Sequence, residues 1–273
     1  MLYRASDSDI ANKETYVATI GYARLTLDGR VIEDTNAPVL APETAEEQMG
    51  CEDPRIVRFE DRIYVFYTAF SGDVTRVGVA VTADFRSFDR LGYIDNGLWD
   101  KDAFIFPKRT NGRVAYMHRI EPSIQVEYAD SVEALLDRSF WDGYEERRGA
   151  ATIMERREPW EEQKIGAGPP PIETDAGWLL IFHGATYDYH YRAGAALLDK
   201  DDPRRVIARL PYPILEPETD YEKHGDVPNV VFPEGAFVEG DTLHVYYGAA
   251  DTHIGYATVS LRSLIEELLT YRL

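Results

Sequence analysis

The sequence predicts an all-β protein, a five-bladed β-propeller with a short C-terminal helix. Three observations predict it. A short segment that closes a strand-like run occurs five times, and a second motif follows each copy. Successive copies also stand far enough apart for one four-stranded blade each: Tyr67 to His118 is 51 positions and His183 to Tyr247 is 64. Repeats of this size built from strands alone point to propeller blades.

The first motif reads Leu2-Tyr-Arg-Ala5, Phe66-Tyr-Thr-Ala69, Met117-His-Arg-Ile120, Phe182-His-Gly-Ala185 and Tyr246-Tyr-Gly-Ala249. The later copies end alternating apolar runs such as Ile63-Tyr-Val-Phe-Tyr67 and Leu243-His-Val-Tyr-Tyr247. A period of two is the mark of a strand with one buried face. Turn signals precede the runs at Glu60-Asp61, Asn111-Gly112, Ala176-Gly177 and Gly240-Asp241. The second motif is Ile20-Gly-Tyr-Ala23, Val77-Gly-Val-Ala80, Val126-Glu-Tyr-Ala129, Ala193-Gly-Ala-Ala196 and Ile254-Gly-Tyr-Ala257. A third element precedes the middle strand in four units, at Asp53-Pro-Arg-Ile56, Asp102-Ala-Phe-Ile105, Pro170-Pro-Ile172 and Asn229-Val-Val-Phe232.

The expected order in each unit is short strand, turn, strand, loop, strand, with the fourth strand in the linking stretch. The whole of 1–273 is expected to be one domain whose first blade is incomplete, because Met1 falls directly before its middle strand. Helix is expected at Ser263–Leu269, where a serine N-cap precedes apolar residues on one face. A shorter helical turn is expected over Asp130–Leu136.

The 48 acidic and 29 basic residues leave a net charge of −19, spread along the chain. Such a surface repels phosphate backbones and anionic lipid, which argues against nucleic-acid and membrane partners. It leaves room for a small anion in a local basic pocket. Cys51 is the single cysteine, so no intrachain disulfide can form. Residues 1–30 show no basic start followed by an apolar run, and no stretch has the length of a membrane span. A cytoplasmic protein is expected.

In a propeller the innermost strands line a central channel, so equivalent positions converge at one mouth although distant in sequence. The starts of the inner strands supply Glu52, Asp53, Arg55, Lys101, Asp102, Lys164 and Asn229; the ends of the middle strands supply Tyr67, His118, Arg119, His183 and Tyr247, followed by Asp251. Carboxylates suit sugar hydroxyls and proton transfer. Arginine, lysine and histidine suit phosphate. On the repeats alone, solvated turns at blade edges account for the same residues equally well.

Six stretches resemble glycoside hydrolase family 130, the β-mannoside phosphorylases and related mannosidases. They are Gly50-Cys-Glu-Asp-Pro-Arg55, Lys101-Asp-Ala-Phe-Ile-Phe-Pro107, His118-Arg119, Lys164-Ile-Gly-Ala-Gly-Pro-Pro170, Trp178-Leu-Leu-Ile-Phe-His-Gly184 and Asn229-Val-Val-Phe-Pro233, with Tyr247-Gly-Ala-Ala-Asp251 as a closing match. They run in the family's order and cover nearly the whole chain. Members usually carry an Asn-Pro-(Gly/Ala)-Ala segment before the stretch matching Leu2–Ala5, and this sequence does not include it.

The resemblance implies inverting phosphorolysis of β-1,4- or β-1,2-linked manno-oligosaccharides, releasing α-mannose 1-phosphate. Asp102 matches the general acid. Lys164 and His183 match phosphate ligands, with Arg119 as a third. Arg55 and Asp251 match sugar-binding positions, supported by Asp53, Lys101, Asn229 and Tyr247. No metal or cofactor is expected, since inorganic phosphate is the co-substrate. A homo-oligomer fits the family's habit of associating. The competing readings are an inverting β-mannosidase that uses water and a non-catalytic carbohydrate-binding propeller. Arabinan- or fructan-cleaving five-bladed enzymes fit less well, because they require a first-blade aspartate that is missing here.

Overall fold

The computed structural model describes residues 1–6, 16–27 and 29–273. The first unit contains strands β1 (Leu2–Ser6), β2 (Ala18–Leu25) and β3 (Val31–Asp34). The second contains β4 (Gly50–Phe59), β5 (Arg62–Phe70), β6 (Thr75–Thr82) and β7 (Asp89–Ile94). These two units form one seven-stranded sheet, joined at a single parallel pair between Ala18 and Gly50. The third unit is a separate sheet of β8 (Lys101–Ile105), β9 (Val114–Ile120), β10 (Ser123–Ala129) and β11 (Thr152–Met154).

The fourth sheet-forming unit runs β12 (Lys164–Ala167), β13 (Ile172–Thr174), β14 (Gly177–Ala185), β15 (Tyr191–Leu198) and β16 (Val206–Arg209), with β12 and β13 both paired to β14. The last is β17 (Val231–Glu239), β18 (Thr242–Ala249) and β19 (His253–Ser260). Apart from the Ala18–Gly50 junction, neighbouring strands within these sheets are antiparallel. The described residues therefore form four sheets, where five were expected. The last has three strands, where four were expected.

Two α-helices lie inside the third unit, between β10 and β11, a third joins the last two sheets and a fourth follows β19. α1 (Val132–Leu136) is capped by Ser131, whose hydroxyl accepts from the Ala134 amide. It is followed by α2 (Tyr144–Ala151) and the short α3 (Asp220–Lys223). α4 (Leu261–Thr270) begins at Ser260, which accepts from the Ser263 amide, and buries Leu264 and Leu268. Those two leucines join Leu179, Leu197 and Leu243 in a core shared by the last two sheets. A larger core links the second to fourth units through Phe66, Phe104, Phe106, Tyr116, Trp141 and Phe182. Apolar burial between successive units is the main force holding them together. No described helix is long and apolar enough to cross a membrane.

Cross-strand packing explains the recurring glycine. Tyr3 lies opposite Gly21, Tyr67 opposite Gly78, Phe182 opposite Gly194 and Tyr247 opposite Gly255. A Cβ at these glycines would lie 2.5, 2.2, 2.5 and 2.2 Å from the facing ring. Each ring thus lies flat across its neighbouring strand, in space that only glycine leaves free. The third unit places Glu127 opposite Tyr116.

Candidate active site

The site is built on irregularities in the first strands of three units. Pairing slips between Glu52 and Arg55 on β4, between Lys101 and Phe104 on β8, and between Pro233 and Gly235 on β17. Bulges of this kind re-aim side chains that a regular strand would point elsewhere. Asp53 and Asp102 sit in these slips with φ of 51° and 54°. Aspartate tolerates this left-handed region better than most residues, yet holding it there costs free energy that the surroundings must supply. Glu234 occupies the slip on β17.

Asp102 is the centre of the cluster. Its side chain is fully buried. Arg55 Nη2 stands 3.4 Å from Oδ1, while Arg119 Nε is 3.1 Å and His183 Nε2 3.6 Å from Oδ2. Space for this meeting comes from Gly166, where a Cβ would lie 2.5 Å from both Asp102 Oδ2 and His183 Cε1. Arg55 is itself held on several sides. It donates to the Gly168 carbonyl at 3.1 Å, to the Asp53 carbonyl at 2.7 Å and to Glu234 Oε1 at 3.1 Å. With 1% exposure and this many protein partners, Arg55 positions the carboxylates around it.

Charge decides the protonation states. Burial pushes Asp102 up, but Arg119, Lys101 and Arg55 outweigh it and hold the carboxyl well below the usual range. Burial, reinforced by Arg119, Arg55 and Lys164, drives His183 far below its ordinary value despite the opposing pull of Asp102, so the imidazole is neutral at pH 7. Neither ring nitrogen of His183 has a hydrogen-bond partner among the described residues. A buried, unpaired polar group calls for an explanation, and a ligand supplies one. Glu234 behaves oppositely to Asp102. Burial and the neighbouring Asp53 push it up to about 8, against Arg55, Arg4 and Lys101.

Two flanks extend from this centre. On one, Lys101 Nζ pairs with Asp53 at 2.8 Å, Arg4 stands 3.8 Å from Asp251, and the Tyr16 hydroxyl donates to Glu52 at 3.0 Å. Burial raises Asp251 above the usual carboxylate range. On the other flank, Lys164 Nζ lies 2.9 Å and Arg119 Nη1 3.5 Å from one oxygen of Glu121. The Phe232 ring packs against His183, with centroids 4.4 Å apart, and lies beneath Arg55 and Lys101.

The structure therefore gathers Asp53, Arg55, Lys101, Asp102, Arg119, Lys164, His183 and Asp251 into a single charged cluster. Among the described residues, two candidates make no ion pair or side-chain hydrogen bond with this cluster. Tyr247 is 4% exposed, its ring covers Gly255, and its hydroxyl donates to Glu222 at 2.6 Å, so it presents no free face to a sugar. Asn229 is half-buried with φ of 61°, and its carbonyl accepts from the Tyr191 amide. Tyr67 and His118 also turn inward. Tyr67 donates to Glu47 at 2.5 Å, and His118 is held between Asp100 at 2.8 Å and the Tyr144 hydroxyl at 2.8 Å. Arg4, Glu121 and Glu234 also belong to the cluster and are not among the residues expected from the sequence. Arg4 occupies the same place in its repeat as Arg119, and Glu234 directly follows the matched Asn229–Pro233 stretch.

An antiparallel β-fold that gathers buried carboxylates among arginine, lysine and histidine at strand bulges defines a site for polar, anion-assisted chemistry of the carbohydrate-processing kind. The chain belongs to glycoside hydrolase family 130. The family's model, described as β-1,4-mannooligosaccharide phosphorylase, matches residues 1–269. The chain is 37% identical over 268 residues to a 1,2-β-oligomannan phosphorylase of Thermoanaerobacter sp., spanning 97% of this chain and 86% of the relative. It is 33% identical over 222 residues to a β-1,4-mannooligosaccharide phosphorylase of Ruminococcus albus, spanning 78% and 64%. Its structure resembles that of a β-1,2-mannobiose phosphorylase from Listeria innocua in complex with β-1,2-mannobiose. The TM-score is 0.82 at 32% identity, with 94% of this chain and 70% of the other covered.

Proposed function

We propose that this protein is a β-mannoside phosphorylase that cleaves manno-oligosaccharides with inorganic phosphate and inversion at the anomeric carbon. The observation that carries the proposal is the placement of Arg119, Lys164 and the unpaired His183 around one flank of the buried Asp102. Three donors of this kind, two of them cationic, fit a phosphate oxyanion. Water needs no such set. The antiparallel units are read as five blades around one axis, the first two joined along one edge. Arg55, Asp53, Lys101 and Asp251 are assigned to the mannose side.

Asp102 is ionised in the resting site, so it must acquire a proton before it can serve the leaving oxygen. Phosphate binding favours this step. An incoming anion partly neutralises Arg119 and Lys164, and it adds negative charge close to the carboxylate. Both effects raise the proton affinity of Asp102. Phosphate then attacks C1 from the face opposite the departing oxygen. That oxygen leaves with the proton held by Asp102, passed on through a mannose hydroxyl, and α-mannose 1-phosphate is formed. An inverting hydrolase needs a second carboxyl group to activate water, whereas phosphate arrives as a ready nucleophile.

We favour a β-1,2 linkage because the 1,2-β-oligomannan phosphorylase is the more similar of the two curated relatives described above. A cytoplasmic location suits an enzyme that consumes free phosphate and carries one buried free thiol, Cys51. The deciding experiment is incubation with β-1,2- and β-1,4-mannobiose, with and without phosphate. Mannose 1-phosphate formed only in the presence of phosphate supports the proposal. Free mannose formed at the same rate without phosphate overturns it in favour of a hydrolase.

A further inference from the structure

Glu121 occupies an unusual position. It lies in the two-residue turn between β9, which ends at Ile120, and β10, which begins at Ser123. One of its carboxylate oxygens is shared by Lys164 at 2.9 Å and Arg119 at 3.5 Å. Its two partners are largely buried, with side-chain exposures of 15% and 5%, while Glu121 is 54% exposed. Burial raises its proton affinity, but Arg119 and Lys164 outweigh this and keep it below the usual range. Glu121 is therefore an anion at neutral pH, held by two of the three groups assigned to phosphate.

We infer that Glu121 is a resident counter-anion of the phosphate subsite, which phosphate must displace in order to bind, so that this residue sets the enzyme's affinity for phosphate. Three features support the inference. Lys164 and Arg119 lie in a protein of net charge −19, and a fixed carboxylate keeps the two like charges close together in the empty site. Glu121 is carried by a turn, so it can swing toward solvent without breaking a strand pair. Its ion pairs are partly solvated and individually weak, whereas a phosphate dianion offers more oxygens and more charge to the same cations. The exchange therefore favours phosphate but costs part of its binding free energy.

The inference rests on Lys164 and Arg119 forming the phosphate subsite. The test is Glu121→Gln, which keeps the side chain's size and removes its charge. Phosphate affinity is measured by calorimetry and by the phosphate-dependent rise in melting temperature, neither of which needs turnover. The expected result is tighter phosphate binding in Glu121→Gln, by about three- to tenfold. The Michaelis constant for phosphate should fall to match, with the constant for mannobiose unchanged. Glu121→Ala should move phosphate binding in the same direction, which guards against an effect peculiar to glutamine. Unchanged or weaker phosphate binding in both variants overturns the inference, as does a raised Michaelis constant for mannobiose alone, which would make Glu121 a sugar ligand. A wild-type protein that binds no phosphate sinks the inference together with the function it rests on. Wild-type binding with no change in the variants sinks the inference only.

Discussion

Arg55 and Asp102 form an ion pair in the interior of the protein, 3.4 Å apart, with side-chain exposures of 1% and 0%. Removing one member of such a pair leaves an uncompensated buried charge. Arg55 also donates to Gly168, just past β12, and to Asp53 and Glu234 at the bulges of β4 and β17, so its loss would unpair groups at three places in the chain. Arg55→Met should destabilise the fold by about 3–5 kcal/mol. Denaturant unfolding checks this, and a loss below about 1 kcal/mol would show that Arg119 and Lys101 suffice to hold Asp102.

Asp102→Asn should keep the fold and lose turnover by about 10²–10⁴-fold, the usual contribution of general acid catalysis. The loss should shrink for a mannoside whose leaving group needs no proton. The measurement is a rate comparison on mannobiose and on an activated aryl mannoside. Full activity of the variant on mannobiose would remove Asp102 from the mechanism.

Lys164→Ala should raise the Michaelis constant for phosphate by about 10–100-fold, the effect of one charge-assisted contact. The constant for mannobiose should change little, because the sugar contacts are assigned to the opposite flank. A phosphate titration at fixed mannobiose reads both. Equal effects on the two substrates would mean that Lys164 acts on the whole site.

Gly166→Ala places a methyl group against Asp102 Oδ2 and His183. Neither neighbour has room to retreat, since both side chains are fully buried. Turnover should fall by about 10²-fold from displacement of the reacting groups. The protein should remain folded by circular dichroism. Wild-type activity in this variant would show that the Asp102–His183 contact is not needed.

Glu234 governs a pH dependence of stability. Its carboxyl is raised to about 8 in the folded protein, against an ordinary value of about 4.3 in the unfolded chain. Between these values the native state holds a proton that the unfolded state has released. Stability from this group is thus complete below about pH 4 and is lost progressively as the pH rises to about 8. Glu234→Gln stays neutral throughout and should flatten the decline of melting temperature between pH 5 and 8. Identical slopes in the two proteins would place Glu234 in its ionised form.

The strands, their order and the C-terminal helix were legible in the sequence because each is written in local pattern. Alternation marks a strand, and an apolar stripe marks the C-terminal helix, although its cap is Ser260, one turn before the expected Ser263. The charged cluster was largely legible too, because strand starts in a repeated fold converge, as Asp53 and Asp102 do. Two things were decided only in three dimensions. The first is which way a side chain faces. Tyr67 and Tyr247 hold repeat positions that pointed toward the mouth, yet Gly78 and Gly255 on the neighbouring strands open flat spaces that draw the rings inward, where Glu47 and Glu222 take their hydroxyls. The second is charge state and pairing. Asp102 and Glu234 both stand beside Arg55 and within reach of Lys101, and they differ because the fully buried Asp102 also meets Arg119, while the half-buried Glu234 faces Asp53. Coulomb interactions depend on distance and burial, not on position along the chain. No reading of the chain alone could have placed Glu121 between Lys164 and Arg119.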